Sequence, residues 1–81
     1  MLVDLVVKHH TNWRMRAIQK MDTREASELF FTSPMSMSKA DVARVREIFA
    51  KSIQETIDIC RDSPAEELVC LNIDLFKIDQ S

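Results

Sequence analysis

Glycine is absent from all 81 residues. Phosphate-cradling loops and dinucleotide-binding turns need glycine where the backbone approaches a ligand closely, so both are excluded. Two-residue glycine hairpins are excluded as well, which favours long connections through helices over a β-meander. Cysteine is scarce: Cys60 and Cys70 form no disulfide framework, and there is no CxxC or Cys/His cluster. Both sit in apolar patterns and read as small buried core residues. Long apolar runs are also missing. Met1–Val7 is too short for a membrane span and is interrupted by Asp4. It has no basic leader and no small-residue cleavage site after it. These absences point away from the membrane and toward a reducing cytoplasm.

What is present describes an ordinary globular composition, with 46% apolar and 30% charged residues. A chain of this size is a single domain, 1–81, and buries only about 60–65% of its unfolded surface. Such a core is marginal without disulfides, a metal or oligomerisation. With the first two unsupported, association is the expected support. The net charge of −2 hides an asymmetry. Residues 1–24 carry five basic residues against two acids, and residues 25–81 six against eleven. The basic part falls well short of the dense Lys/Arg footprint that phosphate backbones select.

The periodicity predicts an α+β fold: an N-terminal helix within 1–24, then a strand–long helix–strand unit over 28–79. Leu2, Leu5, Val6, Trp13, Ala17 and Met21 fall on one helical face, and Asp22–Glu25 is the polar connection that follows. Val6-Val7 could instead end a short strand. Over Glu28–Met37, Leu29, Phe31, Met35 and Met37 alternate with Phe30, Thr32 and Ser36, as in a strand. Pro34 places that strand at an edge or a bulge. Ser38 reads as the cap of the long helix, with Asp41 at its positive end and Met37 and Val42 placed for a hydrophobic staple.

The long helix carries the stripe Val42, Val45, Phe49, Ile53, Ile57 and Cys60, the strongest periodic signal in the chain. Asp62-Ser63-Pro64 ends it. The second strand, about Glu67 to Ile78, sets Val69, Leu71, Ile73 and Leu75 on a helix-facing side. Helix and strand match at about 36 Å, which fits a right-handed crossover between parallel strands. The small sheet has open edges, to be completed by a partner or a dimer.

Few residues suggest chemistry, and an enzyme is not expected. His9 and His10 point about 100° apart on a helix, with no further ligand nearby, so no metal site is read there. No histidine-plus-acid arrangement surrounds Ser33, Ser36 or Ser38. No cofactor is expected. Trp13, Arg14, Arg16 and Lys20 could clamp nucleic acid by stacking and charge, but the negative net charge and the lack of a second aromatic beside Trp13 favour a core or interface tryptophan flanked by solvated arginines. Asn72 and Asp74 share a strand face and could contact a small ligand, or merely satisfy a neighbouring edge. Phe30, Phe76 and Ile78 are the candidate interface residues.

Three runs carry a resemblance: His10-x-x-Trp13-Arg14-x-x-Ala17-Ile18, Leu29 to Asp41, and Ser63 to Phe76. They resemble the C-terminal domain of a family of bacterial transcriptional-regulator-like proteins, over about residues 9–78. In that family a winged-helix or helix-turn-helix region precedes a domain whose own function is unassigned. The resemblance implies an assembly or regulatory module that acts on DNA only indirectly, as a homo-oligomer or within a larger regulator chain. No residue present here inherits DNA binding from it. The nucleic-acid helix and a small-ligand sensor remain the alternatives.

Overall fold

The computed structural model describes residues 2–79, the side chains of Leu2 and Val3 excepted. The order of elements is helix α1 (Leu2–Lys20), a 3-10 turn (Met21–Thr23) and helix α2 (Lys39–Asp62). In α1, Asp4 sits in the first turn and Lys20 in the last, each with the sign that the helix dipole favours. The helix runs through Val6-Val7, so no strand begins there. At its end the Thr23 hydroxyl donates to the Lys20 carbonyl (3.4 Å) and Arg24 donates to the Met21 carbonyl (3.0 Å). These side chains satisfy carbonyls left without intrahelical partners.

Helix α2 starts as its sequence dictates. Ser38 is extended, at φ −69° and ψ 159°. Its hydroxyl oxygen accepts from the Asp41 amide (3.1 Å) while its carbonyl accepts from Val42 (3.0 Å). Met37 and Val42 are both half-buried, as a staple requires. The helix stops at Asp62. Ser63 is extended, the conformation a following proline imposes, and its amide closes on the Cys60 carbonyl at 3.3 Å.

By Cα proximity the chain divides into two units. One comprises Met1–Ser33 with Cys70–Ile73; the other comprises Pro34–Val69 with Asp74–Ser81. The first holds α1 and the second α2. No described side chain in either unit is buried.

The α+β expectation is overturned: the regular structure is all helical, and no described residue lies in a strand or bridge. The crossover and its two-stranded sheet therefore do not exist. The sides assigned to the second strand fail with it, since Leu68, Val69 and Leu71 are 97%, 82% and 60% exposed. The cause is physical. Alternation of apolar residues marks segments suited to a half-covered surface, but a ladder also needs a neighbour about 4.8 Å away to take every second N–H and C=O. Neither 28–37 nor 67–79 has one. The reading of Cys60 and Cys70 as buried core residues is overturned as well, because both are exposed free thiols.

The cap generates a first prediction. Replacing Ser38 with Ala leaves the Asp41 amide without its side-chain acceptor and costs about 1 kcal/mol. Thermal melts followed by helical ellipticity check this. A variant as stable as the parent would refute the cap as the point that sets the start of α2.

Candidate functional site

The sequence candidates on α1 fall within the first unit, and most are engaged locally. Trp13 and Arg14 are half-buried, and between them they hold the segment Cys70–Ile73. The Asn72 side-chain amide donates to the Trp13 carbonyl at 3.4 Å. One end of the Arg14 guanidinium donates to the Ile73 carbonyl, also at 3.4 Å. Another Arg14 nitrogen donates to the His10 carbonyl (3.1 Å) and lies 3.3 Å from His10 Nδ1. The Cys70 thiol donates to the Asn72 side-chain oxygen at 3.7 Å, completing a small polar clasp.

The clasp follows from residue type. Arginine presents several donors in a rigid fork, so one guanidinium can bridge a helix carbonyl and a separate segment. Asparagine carries donor and acceptor on one short stem, which suits a residue between a thiol and a carbonyl. Each such bond contributes about 0.5–1.5 kcal/mol, and the lower part of that range suits a site this open to water. The clasp positions a segment.

The remaining α1 candidates have other local roles. The Arg16 guanidinium sits 5.2 Å from the centroid of the Trp13 ring, within cation–π range. Lys20 approaches Glu28 at 3.8 Å. Glu28 also accepts from the Glu25 amide at 2.6 Å, while its own amide donates to the Glu25 carbonyl at 3.0 Å. That closed turn fixes the chain after α1. His9 and His10 meet edge to face at 5.7 Å. Among the described residues, no three His, Cys, Asp or Glu side chains converge as a metal site.

Asn72 and Asp74 do not share a strand face, since there is no strand, and they fall in different units. The strand face expected to pair them is thereby lost. Phe30 lies in the first unit, Phe76 and Ile78 in the second, and all three are exposed. The sequence reading missed the clasp. Trp13 and Asn72 are far apart in sequence, and no spacing rule reports a side chain that reaches a backbone carbonyl across such a gap.

The chain's sequence matches the family described as Domain of unknown function (DUF4423) over residues 2–78. The chain belongs to this family. No curated protein and no solved structure matches it. The family match spans both helices and the clasped segment. No helix among the described residues is long and apolar enough to cross a membrane.

The clasp generates a second prediction. Trp13 is the only tryptophan, so its emission reports on this unit alone. Asn72→Ala removes the bond to the Trp13 carbonyl and loosens 70–73, shifting Trp13 emission to longer wavelength; Cys60→Ser, in the other unit, leaves it in place. An Asn72→Ala chain with unchanged emission would contradict the clasp.

Proposed function

We propose that this domain is a non-enzymatic assembly module of a transcription-regulator-like protein, and that it works by associating with a second copy of itself. One observation carries the reading. The apolar stripe of α2 is only partly covered, with Val42 and Val45 half-buried and Phe49, Ile53 and Ile57 at 44%, 41% and 49% exposure, in a chain with no buried described side chain. Such a surface marks an interaction site more often than a solvent face. The regulator context rests on the resemblance carried by Thr32–Asp41 and Leu71–Phe76.

Magnitudes set the class of association. Covering a half-exposed aliphatic or aromatic side chain contributes about 1 kcal/mol. The stripes of two copies together offer on the order of 10 kcal/mol, and association itself costs about 4–15 kcal/mol. The surplus is at most about 6 kcal/mol, so the pair belongs to the class of tens of micromolar or weaker and not the nanomolar one. Joined to a larger regulator chain that brings copies together at about millimolar effective concentration, such a module is effectively saturated. Isolated copies separate on dilution, which suits a regulatory assembly.

Sedimentation equilibrium of the full chain across micromolar concentrations is the test. A reversible dimer is expected. Phe49→Glu, which puts a charge in the stripe, weakens it at least tenfold, and Lys51→Ala, outside the stripe, does not. A chain that stays monomeric throughout would eliminate the reading.

A further inference from the structure

We infer that the two copies meet along α2 in antiparallel register, with Val42 of one copy against Cys60 of the other. This deepens the proposed self-association and rests on it. The stripe Val42, Val45, Phe49, Ile53, Ile57 and Cys60 advances by steps of three, four, four, four and three residues. That series reads the same in both directions. Its centre falls at position 51, midway between Phe49 and Ile53. A two-fold axis through that centre sets Phe49 opposite Ile53 and Val45 opposite Ile57. Isologous dimers require a surface that is its own complement. The stripe meets this in antiparallel register, and a parallel pair meets it by matching each residue with itself, so charge decides the direction.

Charge favours the antiparallel direction. In the first half of α2, Lys39, Arg44 and Arg46 outnumber Asp41 and Glu47 by one; in the second, Glu55, Asp58 and Asp62 outnumber Lys51 and Arg61 by one. Antiparallel pairing sets the positive half against the negative half and opposes the two helix dipoles. A parallel pair aligns like with like.

The polar residues beside the stripe do not obstruct it. The Ser52 hydroxyl donates to the Ile48 carbonyl (2.9 Å) and the Thr56 hydroxyl to the Ser52 carbonyl (2.7 Å). Both protons are thus used within the helix and can be covered without losing a partner. Arg46 lies within the arc, and its guanidinium is drawn to Glu47 at 3.7 Å, leaving its aliphatic stem for contact. Each large stripe or flanking side chain, Ile48 and Ile59 among them, presents on the order of 100 Å². A pair therefore covers about 1,000 Å², the threshold for specific association.

Disulfide mapping tests the register on the full chain, at a concentration where sedimentation gives the dimer. In a Cys70→Ser, Val42→Cys chain, mild oxidation with copper phenanthroline joins the new thiol to Cys60 of the second copy, at least tenfold over links between identical positions. The two sites lie about 27 Å apart on one helix, so the link cannot form within a copy. A second chain, Val45→Cys with Ile57→Cys and both native cysteines changed to Ser, guards against a local effect of the first and cross-links 45 to 57. Dominant links between identical positions, or a dimer that forms neither cross-link, would overturn the antiparallel register and leave self-association standing. A monomer by sedimentation would remove both.

Discussion

The stability of this domain turns on α2's apolar stripe, in which Val42 and Val45 are half-buried and Phe49, Ile53 and Ile57 exposed. A helix of this length orders its backbone at a cost of about 1–2 kcal/mol per residue. Isolated helices recover that cost only marginally from hydrogen bonds and propensity. The Ser38 cap and the Arg44–Asp41 and Arg61–Asp58 ion pairs, at 3.1 and 3.3 Å, help by tenths to about one kcal/mol each. Apolar contact is the only larger contribution within reach. On the proposed reading, a second copy supplies that contact.

The same constraint explains the division of labour between the units. Around α1 the stabilising contacts are polar: Arg14 and Asn72 hold 70–73, and Lys20 and Glu28 hold the turn after the helix. Polar point contacts fix a segment with little buried area and tolerate water. Around α2 the local polar groups satisfy one another, while Phe49, Ile53 and Ile57 stay exposed. On the proposed reading, hydrogen bonds hold the first unit and the second offers the surface for association.

Much of the helical structure was legible in the sequence because its signals are local. The stripe from Val42 to Cys60 spans the helix found, Lys39–Asp62, and Ser38 and Pro64 mark its two ends. The expected N-terminal helix corresponds to α1. The strands were misread because alternation at Leu29–Met37 and Val69–Leu75 describes what a segment would bury, not whether a neighbour exists to pair with it. The candidate site was legible only in part. Trp13, Arg14 and Asn72 stand out as residue types, yet their meeting depends on a long-range fold that spacing does not encode. Asn72 turns out to hold backbone, and Asp74 does not share its unit. The family match places the chain without supplying a reaction, so the physical case rests on the surface of α2.

If a second copy supplies the missing cover, folding and association are one equilibrium, and thermal stability depends on concentration. The most direct measurement is the melting temperature of helical ellipticity from about 1 to 100 μM. The account predicts a rise of several degrees across that range, because mass action favours the covered state. A melting temperature that does not change with concentration would contradict it, since α2 would then be stable without a second copy.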